Sequence, residues 1–319
     1  MSEHDRKVMA TNMDAVSSKF SCVKAGYYAD EFIPVFTTQN PIHRRNPIIN
    51  LGYYSRVMAI RRTIEWFATT CVGDDLQVVS IGAGYDTNGL WALKQFRNVK
   101  KVFELDFFDV LFHKLKIFKN EWGSMFSFLH SGGDFPSYRV NDENGGLLWS
   151  SDKLCLVGCD LRGPTKDLQT SLEACGFDRA KPTLFLAECC LVYMDLDVTE
   201  RLLGFFSTLS STAVIAVYEQ VNPYDSFGRM MMENLNTRGC SLLGILPSVA
   251  AVEARFRACG FPDNRVELMA HFNPLIHSNR VEMIDEMEEF NLFQNHYFFG
   301  VASNSKQVST SQISSIFDP

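Results

Sequence analysis

Two hydrophobic periods run through this chain of 319 residues, and the places where one gives way to the other mark out its elements. Over residues 55–71 the apolar side chains Val57, Ile60, Ile64, Phe67 and Cys71 recur as one helical stripe. Short apolar or β-branched runs then predict seven strands: Leu76–Gly82, Val99–Phe107, Leu154–Leu161, Thr183–Cys189, Ala213–Gln220, Arg265–Ala270 and Tyr297–Ser303. The first five alternate with helical text at 86–97, 108–120, 165–176, 197–209 and 248–260, the pattern of parallel strands buried on both faces. The last two flank a single further helical segment, 281–293, and can pair antiparallel at an edge. The expected class is therefore α/β, with a mostly parallel sheet of seven strands.

Other stretches do not belong to that rhythm. Residues 1–18 are polar and expected to fray, while 19–54 are aromatic-rich and broken by Pro34, Pro41 and Pro47 into short helical turns. Residues 131–153, with Gly132-Gly133 and Gly145-Gly146, read as a surface excursion, and the Ser/Thr/Gln-rich segment 305–319 as a mobile tail. The expected organisation is a helical cap at 1–70, a core domain at 71–304 and that tail. An insertion at 221–247, after the fifth strand, exceeds what a plain sheet needs, and extra segments over strand ends enclose ligands.

Composition removes several function classes. A net charge of −7 and a pI near 5.5 argue against a nucleic-acid binder, although Arg44-Arg45 and Arg61-Arg62 are local basic pairs. The nine cysteines show no framework spacing, which reads as buried reduced thiols in a cytoplasmic protein, possible also in the nucleus. No apolar segment follows the N-terminus as a secretory signal would require, and no run is long enough for a membrane span.

The chemistry concentrates at strand ends. Val-Ser-Ile-Gly-Ala-Gly-Tyr-Asp-Thr (79–87) carries a strand into a glycine turn, and Asp106 ends the next strand. Glycines such as Gly82 and Gly84 let a ligand approach the backbone, and the acid accepts hydrogen bonds from ribose hydroxyls. Dinucleotide binders need a third glycine for a pyrophosphate; here Asp86 and Thr87 stand at the helix start, where an acid repels phosphate. An adenosine cofactor with a cationic centre and no phosphate, S-adenosylmethionine, fits better. Asp86 or Thr87 can equally be a helix N-cap, and both readings can hold. Glu104 shares a strand face with Asp106, and Asp160 and Glu188 end two later strands, on the edge where open sheets bind ligands. Asp160 could accept from an adenine amino group. No histidine spacing suggests a metal, and no Gly-x-Ser-x-Gly elbow is present.

Taken together, these segments resemble the leucine carboxyl methyltransferases. The blocks that carry the likeness are Pro-Ile-Ile-Asn-Leu-Gly-Tyr-Tyr-Ser-Arg-Val (47–57), Ile-Gly-Ala-Gly-Tyr-Asp-Thr (81–87), Phe-Glu-Leu-Asp-Phe (103–107), Asp-Leu-Arg (160–162) and Ala-Glu-Cys-Cys-Leu-Val-Tyr-Met (187–194). Tyr-Glu-Gln-Val-Asn (218–222) and Phe-Gly-Arg-Met-Met-Met-Glu-Asn-Leu (227–235) extend it beyond what general methyltransferases share. The resemblance implies a class I S-adenosylmethionine-dependent methyltransferase fold, Rossmann-like, whose acceptor is the C-terminal leucine of the protein phosphatase 2A catalytic subunit. It implies cofactor contacts from Lys19, Arg56, Gly82, Gly84, Asp106, Asp160, Leu161 and Glu188, with Arg56, Lys19 and Tyr193 at the transfer site. Residue 51, often basic in this block, is Leu here. No propeller-type extension follows, unlike the related fusion enzymes that modify a transfer RNA base. A monomer acting without nucleic acid or membrane is expected.

The implied chemistry needs no general base. A terminal carboxylate, with a reference pKa of roughly 3.5, is already an anion at neutral pH. It attacks the sulfonium methyl in line, opposite charges cancel, and a dry cavity favours the less charged transition state. Arg56 and Lys19 are expected to position that anion. The rivals are an O-methyltransferase of a small carboxylate, a nicotinamide-dependent dehydrogenase and a non-catalytic scaffold. The missing third glycine disfavours the dehydrogenase, and the retained acids disfavour the scaffold.

Overall fold

A computed structural model describes residues 1–37, 44–141, 146–272 and 281–313 of the chain. Its centre is a mixed sheet. Strands β1 (Leu76–Ile81), β2 (Val99–Asp106), β5 (Leu154–Gly158), β6 (Thr183–Glu188) and β7 (Ala213–Gln220) run parallel in the order β5-β2-β1-β6-β7. Alternate residues leave this sheet on opposite sides. Val78, Val102, Leu156, Leu184 and Val214 enter one buried cluster, while Val79, Phe103, Val157, Phe185 and Ile215 enter the other. With both faces covered, the strands read as continuous apolar runs, as expected. Beyond β7 lie β9 (Tyr297–Ser303) and then β8 (Asp263–Leu268), each antiparallel to its neighbour.

The strand count is a correction: nine among the described residues, not seven. Tyr138–Asn141 (β3) and Gly146–Ser150 (β4), within the expected surface excursion, are paired strands, β4 lying antiparallel to both β3 and β5. Trp149 is fully buried, its ring 5.6 Å from Phe135 and 6.0 Å from Phe118. That aromatic burial offsets the cost of ordering a glycine-rich segment. Gly145, like Pro41, lies outside the described residues.

The helices follow the expected gaps: α3 (Asn88–Gln95), α4 (Phe108–Asn120), α5 (Thr165–Ala174), α6 (Leu196–Leu209) and α8 (Val249–Ala258), while α9 (Met287–Gln294), before the last strand, starts six residues later than the 281 expected. Helix α2 (Pro47–Thr70) buries the whole stripe from Val57 to Phe67, but it starts eight residues earlier than the pattern at 55 suggested. Pro47 opens this helix instead of breaking the chain, because the first helical position needs no N–H donor. Leu51, fully buried near Tyr54 and Phe290, fills a core position.

The first residues also differ from expectation. Helix α1 (Glu3–Lys24) is continuous, started by a capping box: Ser2 Oγ accepts from Asp5 N at 3.0 Å, and Asp5 accepts from Ser2 N at 2.9 Å. At the other end, 308–313 are not loose. Val308 and Ile313 are buried, and Thr310 donates to Asp263 through its backbone N–H at 2.8 Å. Cys155 and Cys175 form a disulfide with Cα atoms 6.3 Å apart, and seven cysteines are free, which corrects the reading of nine reduced thiols. Their separation of 20 residues has no motif spacing; the meeting of β5 with the end of α5 is what brings them together. Among the described residues no helix is long and apolar enough to cross a membrane.

Candidate active site

The carboxyl ends of β1, β2 and β6 meet in the middle of the sheet, and the loops leaving them form the floor of a cavity. After β1 the chain turns through Gly82 and Gly84, both at positive φ (65° and 48°). A Cβ on Gly82 would stand 2.3 Å from Cys190 Sγ, so the turn tolerates no side chain there. Asp106 closes the turn from β2. One of its oxygens accepts from Gly84 N at 2.6 Å and the other from Phe107 N at 2.7 Å. Burial pushes this carboxyl up while the two N–H donors pull it back. Each oxygen keeps a second lone pair for a ligand.

The wall is electrostatic. Glu188, last residue of β6, takes two cations from different helices: Lys19 of α1, 2.9 Å away, and the Nε of Arg56 from α2. Lys19 also reaches Asp86 at 2.7 Å. Burial pulls the Lys19 ammonium down, and the two acids more than offset it. The same pairing holds Asp86 below the usual carboxylate range despite its burial. Asp86 also accepts from Asn88 N at 3.0 Å, so it helps to start α3, as the helix-start reading expected, and through Lys19 it anchors α1 as well. The Arg56 guanidinium lies over the rings of Tyr53 and Tyr218, at 5.1 and 4.9 Å, which fixes its plane.

Past Glu188 the backbone enters the left-handed region at Cys189 (φ 52°) and makes a tight turn, Leu191–Tyr193. Buried Glu219 of β7 holds that turn by accepting from Cys190 N at 3.3 Å and Val192 N at 2.9 Å. On the opposite side Asp160, two residues beyond β5, is gripped by Arg162 at 2.6 Å, and Arg162 reaches Asp5 of α1 at 2.7 Å. The Arg162 hydrogen bond holds Asp5 well below its ordinary range.

The resulting cavity has a volume of about 330 Å³ and is lined by all nine residues singled out from the sequence: Lys19, Arg56, Gly82, Gly84, Asp106, Asp160, Leu161, Glu188 and Tyr193. Glu104 does not join its neighbour Asp106 there. It pairs at 2.7 Å with fully buried Lys114, and burial raises it to about 7 although Lys114 opposes the shift. Sequence reasoning missed Asn12, whose side-chain oxygen accepts from Tyr85 N at 2.8 Å and fills the space a Gly84 Cβ would need. It also missed Asp5, although Ser2-x-x-Asp5 is a legible capping signal. Tyr297 lines the cavity from β9 with no local mark in the sequence.

Comparison with known proteins places this arrangement. The sequence profile described as leucine carboxyl methyltransferase matches residues 7–207. A leucine carboxyl methyltransferase 1 homolog of Arabidopsis thaliana is 34% identical over 306 residues, covering 93% of this chain and 89% of the relative. The tRNA wybutosine-synthesizing protein 4 of Homo sapiens is 31% identical over 318 residues, but those span 95% of this chain and only 45% of that protein. Among solved structures, a putative methyltransferase from Thermobifida fusca aligns with a TM-score of 0.54 at 13% identity, covering 79% of this chain and 81% of that one, which establishes the class I methyltransferase fold. The profile and the long alignment agree on more than the fold: this chain belongs to the leucine carboxyl methyltransferase family of enzymes.

Proposed function

We propose that this enzyme methylates the C-terminal leucine carboxylate of the protein phosphatase 2A catalytic subunit, with S-adenosylmethionine as donor. The observation that carries the reading is the double grip of Lys19 and Arg56 on Glu188 beside the Asp106–Gly84 turn. A cavity of about 330 Å³ lies in the roughly 300–1,000 Å³ range of small-molecule sites. Its donor set suits this cofactor. Asp106 would take the ribose hydroxyls, Asp160 the adenine amino group and Glu188 an ammonium, while Arg56 and Lys19 would take a carboxylate. When bound, S-adenosylmethionine supplies an electrophilic methyl group on a sulfonium.

The protein's own part is placement. Lys19 and Arg56 with Asp86 and Glu188 make two cations and two anions, a cluster without net charge. An incoming carboxylate is therefore oriented by hydrogen bonds and keeps its nucleophilicity. Tyr193, on the turn that Glu219 holds, borders the point of transfer, and the rings of Tyr53 and Tyr218 keep water from the Arg56 face. Contact within roughly 3–3.5 Å between the reacting atoms is what such positioning must achieve.

The test is transfer of labelled methyl to the intact phosphatase catalytic subunit, to the same subunit lacking its terminal leucine, and to small carboxylic acids. Label on the intact subunit alone supports the proposal. Equal labelling of the shortened subunit refutes the leucine assignment, and labelling of small acids in preference to the protein supports the metabolite alternative. Calorimetry with S-adenosylhomocysteine checks the donor independently of any acceptor.

A further inference from the structure

Four lysines and arginines line the cavity: Lys19, Arg56, Arg162 and Arg238. The first three are each bonded to an acid. Arg238 is exposed at the C-terminal end of α7 (Ser226–Thr237), inside the insertion after β7, and forms no ion pair among the described residues. Leu235, one turn earlier, also lines the cavity.

A second cation lies beside it. Gly239 (φ 77°) lies two residues beyond α7, and a Cβ there would stand 3.0 Å from Lys7 Cγ, so the Lys7 stem of α1 runs against the segment that leaves α7. His4 secures the same seam by its contact with the Ser241 carbonyl at 3.3 Å. Lys7 is exposed and also lacks an ion pair among the described residues. The acids of α1 do not answer these charges. Asp5 is bonded to Arg162, Asp14 lies 3.7 Å from Arg45, and Glu3, one turn before Lys7, makes no ion pair with it. Cys240, next to the seam, lies in the field of both cations and of Asp14: burial raises its thiol, Arg238 and Lys7 oppose the rise, and Asp14 adds to it.

On a protein of net charge −7, an unanswered cation lining the substrate cavity, Arg238, with a second, Lys7, packed beside it, calls for an acidic visitor. The reacting carboxylate itself must go deeper, to Lys19 and Arg56 beside Tyr193. We infer that Arg238 and Lys7 select an acidic side chain a few residues before the methylated terminus, so that the enzyme recognises acidic C-terminal tails. This deepens the functional reading above and rests on it. The apolar wall of Leu235 beside the cations suits a tail that carries a hydrophobic last residue behind the acid.

The experiment uses full-length phosphatase catalytic subunits that all end in Leu, with Asp, Asn or Lys placed in turn two to five positions before it. Wild-type enzyme should favour Asp over Asn at one of these positions by about threefold to fivefold in kcat/KM, the range of an exposed ion pair, and lose that preference in high salt. R238A should abolish the preference, and the double variant K7E/R238E should turn it toward Lys. Retained S-adenosylhomocysteine affinity shows that each variant is folded. A preference unchanged in K7E/R238E overturns the inference. So does an equal fall in R238A for all three tails, which would make Arg238 a holder of the reacting carboxylate. If no Leu-ended subunit accepts methyl while S-adenosylhomocysteine binds, the functional reading itself has failed and the inference goes with it.

Discussion

The floor of the cavity and its roof are built by different rules. The floor is the edge of a sheet whose strands β1 and β7 are buried along their whole length, and its turns are pinned by backbone N–H bonds to Asp106 and Glu219. The roof at α7 is the reverse: of twelve residues only Gly228 is buried, and the helix is tethered mainly at its start. There Asp225 caps it through Gly228 N at 2.7 Å and meets His296 Nε2 at 2.9 Å. A rigid floor suits atoms that must be held for chemistry, whereas an exposed roof can change its face to meet different acceptors without disturbing that chemistry.

The contrast predicts where damage should be greatest. Glu188→Ala leaves two buried cations without their shared acid. We expect a stability loss of about 3–5 kcal/mol together with loss of methyl transfer, read by denaturant melts and labelled transfer. Adding Arg56→Met, which leaves Lys19 with Asp86, should recover part of that stability and leave activity absent; recovered activity would remove the pair from the chemistry. Gly82→Ala comes next. With φ at 65° and Cys190 Sγ in the way, it should cost about 1–3 kcal/mol and weaken S-adenosylhomocysteine binding in calorimetry.

On the roof the expected pattern inverts. Asp225→Ala removes the α7 cap, worth about 1 kcal/mol, and should lower kcat/KM for a protein acceptor several-fold while S-adenosylhomocysteine affinity holds. Equal losses in both measurements would erase the distinction between floor and roof. The smallest effect concerns pH. Burial raises Glu219 from an ordinary 4.5 to about 7, so between those values the folded chain binds more protons than the unfolded chain. Its contribution to stability is therefore full below about pH 4.5 and declines as pH rises to 7. Glu219→Gln should flatten the slope of melting temperature across that window; an unchanged slope would show that the carboxyl titrates elsewhere.

The same division separates what was legible in the sequence from what was not. The floor was readable because its signals are local: Gly82, Gly84 and Asp106 sit within one strand–turn–helix–strand unit, and apolar runs mark strands buried on both faces. Helix α1 was not, since Ser2 to Ser18 carry few apolar residues and the helix depends on Asn12, Lys19 and Asp5 reaching remote partners. The β3–β4 pair was missed for a related reason. The nearby glycines signal turns, while Trp149, which buries the pair, matters only once Phe118 of α4 is beside it. The cationic rim at Arg238 and Lys7 has no sequence signature at all, because it joins the first helix to the seventh.

Lys19 and Glu188 stand 169 positions apart, which has a bearing on how the chain matures. During synthesis the binding chamber cannot exist until more than half the polypeptide has emerged and the leading helix has come back to meet it. A nucleoside-based donor present in excess would bind only that finished form. By mass action it would add about 2.7 kcal/mol at a hundred times its dissociation constant, so the enzyme's own coenzyme would serve as its folding aid.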